Sequence, residues 1–144
     1  MTPGETRDVL LADHTGLRAH VDAARQMVEL WTRGDAKWLQ VRDELALLAD
    51  ALRSHNLREE RALRDLVCSR DASGASRAHV MDEAHVSEHR DTFEALIRVS
   101  QGRDPGREGP HLEALLSRLL GHMAWEERSF LNATVLPDDT VPNG

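Results

Sequence analysis

The chain has 144 residues, 25 acidic side chains against 18 Lys and Arg, and a formal charge of −7. That is enough for one domain with a single core, and its sign argues against a general affinity for DNA or RNA, which needs a basic face. Tyr is absent and Phe occurs only twice, so helix formers prevail over the residues that strands prefer and an all-α fold is predicted.

Three breaker segments, TRGDA at 32–36, SRDASGAS at 69–76 and QGRDPGREGP at 101–110, divide the chain into four periodic stretches. Thr2 and Glu5 have the spacing of a capping box for the first helix. Its inward face, read at alternating steps of four and three, is Leu10, His14, Leu17, Val21, Ala24, Val28 and Trp31. Asp35 is the expected start signal of the second helix, whose stripe is Trp38, Val41, Leu45, Leu48, Leu52, His55, Glu59, Ala62 and Leu66. The third helix presents Met81, His85, His89, Thr92 or Phe93, Leu96 and Val99. With Pro110 as its start signal, the fourth presents Leu112, Leu115, Leu119, His122, Glu126 and Phe130. Short connections predict an up-down-up-down antiparallel four-helix bundle formed by a single domain at 1–136, with a frayed tail, PDDTVPNG, at 137–144.

Each stripe contains polar residues where Leu would ordinarily sit. Residues four apart on a helix lie ~6 Å apart along the axis and ~40° out of phase, so their side chains can converge on one ion or a pair of ions. Three such pairs point inward, His55 with Glu59, His85 with His89 and His122 with Glu126, and His14 joins them. With 8 His and 25 acids, about two pairs of this spacing are expected by chance, and four occur. Phase rejects the fourth, His79 with Glu83, because Glu83 is two residues from His85 and faces away from the stripe. A single inward His is usually a hydrogen-bonded core residue, but seven polar groups buried without partners would cost ~1–3 kcal/mol each. Five imidazoles and two carboxylates are too many ligands for one tetrahedral zinc and too rich in nitrogen for magnesium or calcium, so two first-row ions fit better. Glu60, Glu88 and Glu127 adjoin the proposed ligands but are turned away by ~100° and are expected to be solvated or to support the ligands from outside. His20, His79 and His111 are read as ordinary histidines.

The order His14, His55-x-x-x-Glu59, His85-x-x-x-His89 and His122-x-x-x-Glu126 resembles the hemerythrin-like family, or HHE cation-binding domain, from about residue 8 to 136. The phrases ADHTGLR, HNLREERAL and HMAWEERSFL also look like its bacterial members. The resemblance implies a non-heme di-iron centre with a bridging oxo or hydroxo. One iron would be held by His85, His89 and His122, the other by His14 and His55, with Glu59 and Glu126 bridging both. These ligands fill all but one position of two octahedral ions, and the open position lies on the iron with two His. Invertebrate oxygen carriers place their last ligand, an Asp, five residues after the His. Here Glu126 follows His122 by four and Glu127 stands at five, so reversible oxygen carriage does not follow automatically.

The implied function is binding of O2, nitric oxide or peroxide at the open position, for sensing, storage or delivery, in a setting of oxidative or nitrosative stress. One alternative is an enzyme that removes peroxide, catalase-like, or nitric oxide. A second is iron storage or donation, which seven buried ligands disfavour. Trp125 beside the ligands is read as packing, with a redox neighbour as the alternative, and the lack of Tyr excludes a tyrosyl radical. No run approaches the ~20 apolar residues that span a bilayer, and MTPGETRDVLLADH lacks the features of a signal peptide. Cys68 has no internal partner for a disulfide, so the expected location is the cytoplasm. A monomer or weak dimer is expected, because the outer faces carry no long coiled-coil seam, and no protein partner is named by the sequence.

Overall fold

Four helices build the structure: α1 at Pro3–Thr32, α2 at Trp38–Cys68, α3 at Glu83–Gln101 and α4 at Pro105–Ser129. The computed structural model describes residues 2–68 and 83–138, with the side chains of 66–68 left out, and no strand occurs among the described residues. The sequence expectations for Leu66, Cys68, His79, Met81 and residues 139–144 therefore lie outside the described residues or side chains. Consecutive helices pack on one another, and α1 also packs on α4 to close the ring.

Cross-helix contacts fix the directions. Asp13 near the start of α1 meets Arg58 near the end of α2, whereas Trp31 meets Trp38 at the other end. Likewise Glu60 meets His89 while Trp38 reaches Gly102, and Arg25 meets Glu113 while His14 meets Glu127. Every neighbouring pair runs antiparallel, giving the all-α four-helix bundle that the periodicity predicts.

Local chemistry explains the helix ends, and two of them differ from the sequence expectation. Thr2 and Glu5 form the predicted capping box: the Glu5 N–H donates to the Thr2 hydroxyl at 3.1 Å, and the Thr2 N–H donates to the Glu5 carboxylate at 2.7 Å. Asp35, in contrast, does not open α2. Gly34 adopts the left-handed conformation at φ 83, its N–H bonds to the Trp31 carbonyl, and the Asp35 N–H bonds to the Leu30 carbonyl. This is a helix-stop motif, so Asp35 closes α1. The start of α2 is marked by the Lys37 N–H donating to the Gln40 side chain at 2.8 Å.

The fourth helix begins a full turn earlier than Pro110. Asp104 accepts the N–H groups of Gly106 and Arg107 at 3.1 and 3.3 Å, and Pro105 occupies the first helical position, where a missing N–H costs nothing. Pro110 sits inside the helix and removes only the bond to the carbonyl of Gly106, an exposed residue near the helix end where water can replace it.

Apolar packing places the polar layer. The main core contains Leu17, Val21, Leu45, Leu48, Leu96 and Leu116, and a smaller cluster of Leu10, Leu63, Phe130, Leu131 and Leu136 lies toward the start of α1. Between Leu10 and Leu17 on α1 sits His14; between Leu52 and Leu63 on α2 sit His55 and Glu59. Thus the seven polar residues form a layer between two apolar ones, each buried Leu contributing ~1.5–3 kcal/mol. The stripes are modified in detail: Leu63 is buried where Ala62 was expected, Val28 and Trp31 are half-buried, and Leu116 and Met123 join the core. Pro137 and Asp138 lie against the first turn of α1, where Arg7 donates to the Leu136 carbonyl at 3.0 Å and pairs with Asp138 at 2.5 Å.

Candidate metal centre

All seven sequence-predicted residues come together in the polar layer. His14, Glu59 and Glu126 are fully buried, His55, His85 and His89 nearly so, and the His122 side chain is 13% exposed. Two groups could each hold a metal ion: His85, His89, His122 and Glu126, and His14, His55, Glu59 and Glu126.

The two carboxylates face both groups. Glu126 Oε2 lies 2.7, 3.2 and 2.9 Å from Nε2 of His85, His89 and His122, whereas its Oε1 lies 2.9 Å from Nε2 of His14. Glu59 Oε1 lies 3.3 and 3.1 Å from Nε2 of His85 and His89, and its Oε2 lies 3.1 Å from Nε2 of His55. Each carboxylate therefore turns one oxygen toward each histidine group, an arrangement suited to bridging two cations. Those Glu59 contacts are near but misaligned: His55 Nε2 and both Glu59 oxygens make no hydrogen bond. Lone pairs that approach without donating to one another, in a dry layer, fit a cation in the space between them.

The outer ring nitrogens strengthen the fit. Nδ1 of His14 lies 2.7 Å from Glu127, that of His55 lies 3.1 Å from Asp13, and that of His89 lies 2.7 Å from Glu60. A neutral imidazole has one N–H. With Nδ1–H donated outward to a carboxylate, Nε2 presents a lone pair inward, which is the orientation a metal-ligating His requires.

Two of the outer carboxylates are themselves held by arginines. Arg58 donates to both oxygens of Asp13 at 2.9 and 2.7 Å, and Arg18 donates to Glu127 at 2.9 Å. Burial opposes ionisation of Asp13, but its bonds with Arg58 and His55 outweigh it and hold the carboxyl below its ordinary range. Glu127 follows the same logic through Arg18 and His14. Glu88 turns outward into a paired contact with Arg118 at 2.9 and 2.8 Å and, among the described residues, bonds to no ring nitrogen. Glu60 and Glu127, expected to be solvated or to support the layer from outside, meet Nδ1 of His89 and His14, and Asp13, which the sequence pattern does not single out, meets that of His55. The only signal for Asp13 was a position next to His14, rotated toward α2. His20 is half-buried and His111 exposed, and neither joins the layer.

In the metal-free arrangement the layer is strongly polarised. Burial lowers the basicity of His55 and His89, yet the adjoining Glu126 and Glu59 carboxylates prevail and raise each to about 10. Burial likewise opposes ionisation of Glu59 and Glu126, and the surrounding imidazoles drive both below the ordinary carboxylate range.

Fold and site together define a four-helix bundle with a buried histidine and carboxylate layer able to hold metal. Comparison with protein families matches residues 5–134 to the hemerythrin HHE cation binding domain. The chain belongs to that family. No curated protein and no solved structure shows a significant match to it.

An outer carboxylate that fixes a ligand tautomer typically changes metal affinity by ~10–100-fold when replaced. Asp13→Asn and Glu60→Gln are expected to weaken metal retention by that order, measured by competition with a chromophoric chelator. Glu88→Gln should leave retention near wild type.

Proposed function

We propose that the layer holds two iron ions and that the protein binds a small diatomic or peroxidic molecule, O2, nitric oxide or peroxide, for sensing, storage or delivery. The observation that carries this reading is the unequal division of imidazoles around two shared carboxylates: three His on one side, two on the other. In this assignment His85, His89 and His122 hold one ion and His14 and His55 the other. Glu59 and Glu126 would be shared by both ions together with an oxo or hydroxo, which would leave one octahedral position on the side of His14 and His55. Iron there would supply a redox-active Lewis acid at that position.

The chain's own residues have separate tasks. Asp13, Glu60 and Glu127 accept the Nδ1 protons and keep the Nε2 lone pairs directed inward. Arg58 and Arg18 hold two of those carboxylates in place. Leu10, Leu63 and Phe130 on one side and Leu17, Leu52 and Met123 on the other keep water from the layer. No buried acid or base beyond this set is aimed into the layer among the described residues, which favours binding over turnover of peroxide or nitric oxide. Iron storage or donation is disfavoured because the ligands are enclosed by both cores. The reading includes a single domain over residues 1–136, working as a monomer or weak dimer in the cytoplasm. Among the described residues, no helix is long and apolar enough to cross a membrane.

Visible absorption of the reduced, iron-loaded protein exposed in turn to O2, nitric oxide and peroxide tests this function. One equivalent of reversibly bound molecule per chain supports it. Sustained oxygen evolution from peroxide moves the assignment to the enzyme reading, and no spectral response to any of the three abandons both.

A further inference from the structure

Among the described residues, an aromatic side chain joins the layer to the surface. Trp125 is 39% exposed although it lies on α4 between two candidate ligands. Its ring stacks on His122 with centroids 5.8 Å apart and an interplanar angle of 29°, and it meets His85 edge-on at 5.3 Å. Phe130, 1% exposed, packs beneath it and already seals that end of the layer. The indole joins solvent to the two rings of the three-histidine group. His122 is also the most exposed imidazole of the five, at 13%, against 0–3% for the others.

Among the described residues, the flanks of that indole on α4 are open. One turn earlier on α4 stands Gly121, where an added Cβ would meet nothing within 4 Å. One turn later, Arg128 is exposed. The neighbouring charges of Arg118 and Glu88 are tied to each other. A flat group can therefore approach the indole without displacing a side chain of the preceding turn.

We propose that Trp125 and His122 form the route by which electrons reach the metal centre from a planar one-electron organic reductant of the flavin or bipyridinium class. The proposal rests on the two-iron reading above. In that reading the three-histidine ion has no open position, so it can exchange electrons with the outside only through its ligands. The two-histidine side remains free for the small molecule. In the step, the donor loses one electron and a ferric ion gains it. No bond forms or breaks, and the indole keeps its proton. Trp125 is a positioning residue in this role, since it acts through His122 and His85.

The test compares wild type, Trp125→Leu and Trp125→Phe, each iron-loaded and oxidised, mixed anaerobically with reduced methyl viologen, following loss of the ferric charge-transfer band. Trp125→Leu is expected to slow reduction about tenfold or more, with Trp125→Phe intermediate and the rate of azide binding to the oxidised protein unchanged in both. A second readout needs no turnover. In a Trp31→Phe/Trp38→Phe background, Trp125 is the remaining indole, and iron loading should quench its fluorescence.

Full iron content with wild-type reduction rates in Trp125→Leu, or fluorescence indifferent to iron, overturns the proposal and leaves the two-iron reading standing. If Trp125→Leu loses iron, Trp125→Phe decides: slower reduction supports the route and an unchanged rate overturns it. A wild-type chain that takes up no iron removes both the route and the reading beneath it.

Discussion

Glu126→Ala is expected to abolish metal retention by both histidine groups and to lower the melting temperature of the loaded protein to that of the metal-free form. Among the described residues, Glu126 alone belongs to both groups, and its oxygens meet four of the five imidazoles within 3.2 Å. An ion present at ~1,000 times its Kd stabilises a fold by ~4 kcal/mol, which for a domain of this size corresponds to roughly 10–20 °C. Metal analysis and calorimetry on the same samples check this. A histidine confined to one group behaves differently: His14→Ala should affect first the ion on its own side. Equal losses from His14→Ala and Glu126→Ala would show that the two groups do not share Glu126 in the manner described.

A second large effect is a reversal of pH dependence between the metal-free and loaded forms. In the metal-free fold His55 and His89 are raised to about 10 from an ordinary value of 6.5. A raised basic group contributes stability that is fully present below the unfolded value and lost as pH rises through the folded one. The metal-free protein should therefore lose stability between pH ~6.5 and ~10. Glu59 and Glu126 are shifted the other way, so their contribution is lost only at pH below the ordinary carboxylate range. The metal-free optimum consequently lies at mildly acidic pH. Bound metal requires deprotonated Nε2 atoms, and protons compete with it, so the loaded protein should gain stability from pH 5 to 8. Thermal melts across this range with and without metal check both signs. Parallel curves would contradict the account.

How much of this was legible in the sequence depended on how local the cause was. That His14, His55, Glu59, His85, His89, His122 and Glu126 share one layer is legible because each replaces an apolar residue at helical period, and burial enforces that period. The capping box at Thr2 and Glu5 was equally local. Asp35 misled because an acid before an apolar stripe resembles an N-cap, whereas its backbone N–H was already used in closing α1 behind Gly34. Pro110 misled for a related reason: Asp104-Pro105 is the stronger start, and one interior Pro near a helix end is tolerated.

Asp13 shows the limit of reading stripes. Its role depends on the α1–α2 crossing that brings it to His55 and Arg58, 42 and 45 residues away in the chain. No helical spacing encodes that distance. Trp125 is similar in part: its place beside His122 is an i,i+3 neighbourhood on α4, but its edge-on contact with His85 follows from how α3 and α4 pack.

Whether two ions share Glu59 and Glu126 is decided by anomalous scattering at the iron absorption edge, recorded from crystals of the iron-loaded protein. Two peaks are expected, one adjoining His85, His89 and His122 and one adjoining His14 and His55, with both carboxylates reaching each. A single peak, or none within this layer, would contradict that sharing.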